Sequence, residues 1–186
     1  MGRKVSTGTA GSSARGNLII DSNTVQSLVA NTDLVFTGAG TGVVRVDDGF
    51  EVTGTSKIQQ IKEKCTISAT AATGTVNFDV LTQGVLYYTA NAAANFTLNI
   101  RGNAGASLDS TMSTGESLTI AFINTCGGTA YYANAFQVDG SSVTPKWPSG
   151  VAPTQGNQNS LDLYAVTVIK TGSAAFTVLA SLNAYA

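Results

Sequence analysis

The chain has 186 residues, of which 11% are charged, a net charge of −1 and no histidine. That length suits one medium domain or a domain with an appendage. The near-neutral balance gives no bulk attraction to nucleic acid or to an anionic membrane, and no apolar stretch approaches the ~18 residues of a spanning helix. The polar fraction is Thr, Ser, Asn and Gly instead of Lys and Glu, a mix that favours strands and turns over helices.

Residues 1–16, MGRKVSTGTAGSSARG, carry Arg3, Lys4 and Arg15 without an acid, and Val5 is the larger apolar side chain among them. Such a segment buries too little to offset its ordering entropy. It reads either as a tail or as a flexible anchor arm that orders on a partner, with Arg3, Lys4, Val5 and Arg15 as its anchoring residues. The segment contains nothing like the apolar core of a signal peptide. A chain kept in a reducing compartment is the expectation, with Cys65 and Cys126 free.

Residues 17–56 alternate apolar and polar side chains over short runs: Leu18/Ile20, Leu34/Phe36, Val44/Val46 and Phe50/Val52. Period two means strand. Strands this short, in so small a segment, cannot enclose a core of their own. We expect a short-strand β stem in which Leu18, Ile20, Leu34, Phe36, Val44, Val46, Phe50 and Val52 from several copies share an apolar axis, most simply in a homotrimer. Residues 57–64 form a linker. In TSKIQQIKEK, Ser56 is a possible cap and Ile58 and Ile61 share a helical face, so the spacing predicts a helical turn.

Residues 65–186 read as one all-β domain, with strands predicted at 64–70, 74–81, 84–89, 95–101, 116–123, 129–138, 142–147, 161–170 and 174–183. Connectors at 72–74, 83–84, 127–128, 139–140 and 171–172 each contain glycine and look like hairpin turns. The fold class expected is all-β: a short-strand N-terminal stem followed by a β-sandwich, jelly-roll-like head. Two irregular stretches remain, 101–115 and 145–160, and the second holds all three prolines.

Without histidine, Ser-His and Cys-His nucleophiles and most zinc sites are excluded. Asp47-Asp48-Gly49 is too short a fragment for a calcium loop and reads as a turn. Asp109 and Glu116 flank one loop and read as solvated carboxylates, not as a glycosidase pair. No catalytic, cofactor-binding or metal-binding residue is expected, and the chain does not read as an enzyme. Tyr131 and Tyr132, adjacent in a predicted strand, should point to opposite faces, one to the core and the other exposed, so that either tyrosine, with Trp147, is a candidate glycan or subunit contact. Trp147, bracketed by Pro145 and Pro148, either closes one end of the sandwich or stands exposed to contact a glycan or another subunit.

Several segments carry a family resemblance: TAATGTVNFDVLTQGVLYYTANAAANFTLNIRGN from Thr70, STGESLTIAFIN, the AYY and AF pair, VDGSSVTPKW, APTQGNQNSLD and the closing TVIKTGSAAFTVLAS. Together they resemble the C-terminal domain of virion proteins of tailed phages, especially marine cyanobacterial myoviruses. The stem more loosely resembles single copies of short β repeats that occur in tandem in fibre-like proteins of the same phages. The resemblance implies a virion structural component of the tail-fibre-like, neck, baseplate or capsid-surface kind, assembled in the host cytoplasm. One stem segment instead of many favours a short fibre or a connecting or capsid-decorating protein over a long host-reaching fibre. The implied partners are further copies of the chain and other virion proteins. Host attachment through a surface glycan is the alternative, and neither nucleic-acid binding nor membrane insertion is implied.

Overall fold

The computed structural model describes residues 18–21, 24–27, 35–36, 40–46 and 50–186. These divide into two units, with the boundary between Lys57 and Ile58. In the first, β1 (Leu18–Asp21) and β2 (Thr24–Ser27) pair antiparallel, with Leu18 opposite Ser27 and Ile20 opposite Val25. Val35, Phe36, Val43, Val44, Val46, Phe50 and Val52 are all exposed. Arg3, Lys4, Val5, Arg15 and Leu34 lie outside the described residues.

The second unit is a β-sandwich. Its strands are β3 (Cys65–Ala71), β4 (Gly74–Asp79), β5 (Val85–Asn91), β6 (Phe96–Arg101), β7 (Ser117–Thr125), β8 (Ala133–Val138), β9 (Ser141–Val143), β10 (Leu161–Gly172) and β11 (Ala175–Tyr185). One sheet has five strands in the order β11-β10-β7-β5-β3, and the other has four in the order β4-β6-β8-β9. All nine coincide with predicted strands to within a few residues. Alternation sends even-numbered side chains of β7 and β10 inward and odd ones outward, as the pleat requires.

The pairing differs from a succession of hairpins. From β3 to β8 the chain passes to the opposite sheet at every step, so β3, β5 and β7 are parallel neighbours and so are β4, β6 and β8. The connectors at 72–74, 83–84 and 127–128, expected as hairpins, are therefore crossings between sheets. Glycine serves a crossing as well as a hairpin, so its presence did not distinguish them. The connector at 139–140 is a hairpin, with Asp139 and Gly140 both at positive φ (51° and 79°), the combination a two-residue type I′ turn needs. The β10–β11 connection is the second hairpin.

Further expectations are corrected. Phe36, Val44, Val46, Phe50 and Val52, expected in short stem strands, belong to no strand, since none of them has a paired neighbour to complete a ladder among the described residues. Residues 57–64 contain no helical turn. Ile58 and Ile61 are exposed, so no packing offsets the cost of nucleating so short a helix. The one α-helical turn among the described residues is instead α1 (Leu108–Thr111), inside the 101–115 stretch. The strand predicted at 129–138 begins only at Ala133, and that predicted at 142–147 ends at Val143, where Pro145 and Pro148 withhold N–H donors.

The two sheets share one core. Phe78, Phe96, Leu98, Ile100 and Phe136 meet Ile120, Phe122, Tyr164, Val166 and Val168. Phe96 packs edge to face on Phe122 with centroids 5.7 Å apart, while Phe122 and Tyr164 stack at 6.0 Å, both geometries that aromatic quadrupoles favour. The Tyr164 hydroxyl accepts from the Ala133 N–H at 2.9 Å, tying one sheet to the other at depth. Burial raises the Tyr164 pKa well above the ordinary phenol value.

Buried and hydrogen-bonded charges hold the 101–115 stretch. Asp139 accepts from the N–H groups of Leu108 (2.6 Å) and Asp109 (2.9 Å), so a turn residue of one hairpin caps α1 from outside. Replacing Asp139 by alanine removes both acceptors and puts a non-turn residue at positive φ. We expect a loss of about 2–3 kcal/mol, measured as a lower urea midpoint. Lys170 points inward from β10 and bonds the Met112 carbonyl at 2.8 Å and the Asp109 carboxylate at 2.8 Å. The Lys170 hydrogen bond, with that from the Ala174 N–H, holds the Asp109 carboxyl below its ordinary pKa. A depressed carboxylate stabilises the fold above its unfolded pKa, and that contribution is lost as pH falls through the folded value. Stability should therefore fall on acidification below the usual Asp range, and Asp109→Asn should flatten that slope in urea titrations. Asp109 is thus an ion-paired loop anchor instead of a solvated carboxylate. Glu116 accepts from the Ser113 N–H and is exposed, a solvated loop carboxylate as expected.

Candidate assembly surface and the Trp147 clefts

The outer faces of the two sheets differ sharply in chemistry. On the four-stranded sheet the outward residues are mostly polar, and four of them pair with one another. Asn99 donates to Asn77 at 2.8 Å, and Arg101 bonds Asp79 at 2.6 Å. On the five-stranded sheet the outward positions include Ile67, Val85, Tyr87, Ile123, Leu163, Ile169, Leu179 and Tyr185, and none on these five strands is charged. Registers align them across the sheet, so Ile67, Tyr87, Ile123 and Leu163 stand side by side. Ile67 is 69% exposed, Leu179 41% and Tyr185 57%.

The edges of that sheet also differ. Beside β11, Lys146 donates its N–H to Val178 and accepts from Ala180, so the main chain after β9 covers part of this edge. At the other end β3 is the terminal strand, and from Cys65 to Ala71 it holds no charge and no proline, the usual guards against strand addition.

Trp147 follows this Lys146 seam. Its ring packs edge to face on Phe136 with centroids 5.6 Å apart, and it is partly buried against the core. It also walls three neighbouring concavities. One of about 230 Å³ is bounded by Tyr132, Phe136 and Pro153. A second of about 390 Å³ lies against Ala165, Thr167 and Leu179. The third, about 440 Å³, is lined with Gln155, Asn157 and Asn183. Tyr131 packs towards the core while Tyr132 lines the first cleft. Trp147 therefore closes the end of the sandwich and leaves part of its ring outside.

The loop that frames these clefts is fastened from beneath. Asp162 is fully buried and accepts from the Asn157 N–H (3.1 Å), the Asn157 side-chain amide (2.8 Å) and the Cys126 thiol (3.3 Å). Gly156 passes so close that a Cβ there would lie 2.6 Å from the Tyr131 carbonyl oxygen and 2.8 Å from Asp162. Both cysteines are free thiols, Cys65 exposed and Cys126 buried. Burial, followed by the neighbouring Asp162, pushes the Cys126 thiol pKa up to about 12, so it stays protonated and serves as a donor, not a nucleophile. Sequence reasoning missed Asp162 and Lys170. The available signal was parity: each shares the core face of β10 with Tyr164, Val166 and Val168.

No protein-family model, curated protein or solved structure matches this chain. Its class rests on the fold, an all-β sandwich of two mixed sheets preceded by a short hairpin. Among the described residues no helix is long and apolar enough to cross a membrane.

Proposed function

We propose that the protein is a non-enzymatic structural component of a phage virion, a short fibre-like, connecting or decorating subunit that works as a homotrimer. The observation that carries this reading is the run of exposed large apolar residues from Val35 to Ile61, among them Phe36, Val44, Val46, Phe50, Val52 and Ile58. A lone chain leaves these in water at a cost of about 1.5–3 kcal/mol for each large side chain that burial would recover. Identical copies around an axis bury them together. The resemblance of the head segments to virion proteins supplies the setting, and the basic arm with Arg3, Lys4, Val5 and Arg15 supplies the attachment. Deleting residues 1–16 tests this: the protein should still fold and self-associate but fail to enter particles. Normal incorporation of the truncated protein would remove the anchor role.

A second reading is receptor binding, favoured by the partly exposed Trp147 ring beside Gln155, Asn157 and Asn183 in the largest of the three clefts. An aromatic face flanked by amides suits a sugar ring. Glycan-array binding that disappears in an Asn183→Ala, Gln155→Ala variant of unchanged stability would establish it, and an array without signal would dismiss it.

A further inference from the structure

Building on the reading of self-assembly, we infer that the outer face of the five-stranded sheet is an interface between heads and that its occupant is the same face of further copies of this chain. Face chemistry is the first argument. The opposite sheet presents amides and an ion pair to solvent, whereas this one presents Ile67, Tyr87, Ile123 and Leu163 in one registered row and Cys65, Val85, Ala121 and Ala165 in the next, without a charge; the hydrogen-bonded pair Thr119 and Thr167 then separates these rows from the end of the face. Soluble proteins rarely leave so continuous an apolar patch uncovered. Charges stand at its margins instead, Lys64 ahead of β3 and Lys146 beside β11, the arrangement of an apolar centre and polar rim typical of interfaces.

The choice of occupant follows from charge and size. A face with no charge offers nothing to steer an acidic or basic partner, and a charged partner would have to bury its groups unpaired. Two copies of this face meet without either penalty. With strands about 4.8 Å apart and about 3.3 Å per residue, the face measures roughly 20 Å by 27 Å. Covering it buries on the order of 540 Å² per copy, about 1,100 Å² in total, just above the ~1,000 Å² that a specific interface needs. Three such sheets turned towards a common axis give each face two neighbours, consistent with a trimer.

Cys65 provides the test. It is the exposed thiol of the head, lies on β3 and occupies an outward position in register with Val85. In the full native chain at micromolar concentration, maleimide labelling of Cys65 should run at least ten times slower than in urea. It should accelerate to the rate of an open thiol in an Ile123→Lys variant whose circular dichroism is unchanged. Light scattering on the same samples should show the variant associating at least a hundredfold more weakly. An assembled protein whose Cys65 labels freely, with no effect of Ile123→Lys, overturns this interface while leaving assembly through residues 17–56 intact. A single chain at every concentration overturns both. Slow labelling in a single chain also overturns the inference, because the cover is then another segment of the same chain. The wild-type labelling rate needs no variant, so a misfolded Ile123→Lys protein does not rescue the idea.

Discussion

Substituting aspartate for both Phe36 and Phe50 is expected to convert the assembled protein into single chains of 19.0 kDa. The two rings are 62% and 76% exposed in the isolated chain, so their removal costs the folded subunit almost nothing. In a shared apolar axis each ring contributes about 2 kcal/mol. Losing two weakens association by roughly a thousandfold before the penalty for burying carboxylates is counted. Sedimentation equilibrium reads the mass directly, and urea unfolding of the head should be little changed once protein concentration is held fixed. Unchanged association would mean that these side chains face solvent in the assembly as they do in one chain.

Asp162→Ala is expected to be the most damaging single change in the head, about 3–4 kcal/mol. The carboxylate satisfies the Asn157 main-chain and side-chain N–H groups and the Cys126 thiol, and each buried donor left unpaired costs about 1–3 kcal/mol. Asp162→Asn keeps the volume but turns a donor towards one of those donors, so about half the loss should remain. The readout is the urea midpoint, and fluorescence of Trp147 should shift with it because Asn157 and Trp147 wall the same cleft. A loss below about 1 kcal/mol would show that the loop is held by its packing at Gly156 instead.

The positions of the head strands were legible chiefly where alternation is clean, as in Leu118/Ile120/Phe122 and Phe96/Leu98/Ile100, and least so at the three-residue β9. Their pairing was not. Period two identifies which side of a strand faces the core but not which strand lies beside it, and Phe78 would be buried equally by a parallel or an antiparallel neighbour. The glycines added little, since Gly74 at φ 57° completes a sheet crossing and Gly140 at φ 79° a hairpin. The polar anchors were hidden for a different reason. Asp139 caps α1 across 30 residues of sequence, and such a contact has no local pattern. At the Trp147 clefts, the tryptophan itself stood out by its uniqueness and flanking prolines. The cleft residues Asn183 and Gln155 did not, because polar residues in loops and at strand ends look alike until the fold brings them together.

The proposed assembly surface was half visible. Exposed apolar residues between 35 and 61 followed from a segment too small to enclose a core, although the strands expected at Phe36, Val44/Val46 and Phe50/Val52 are not formed there. The uncharged outer face of the five-stranded sheet was not anticipated, because it appears only when β3, β5, β7, β10 and β11 are placed side by side.

Sedimentation equilibrium of the native 186-residue chain across nanomolar to high micromolar concentration decides whether its copies associate. A homotrimer gives the mass of three 19.0 kDa chains, dissociating only on dilution. A single chain throughout that range, with amides of residues 35–61 protected from hydrogen exchange in that lone subunit, would contradict it.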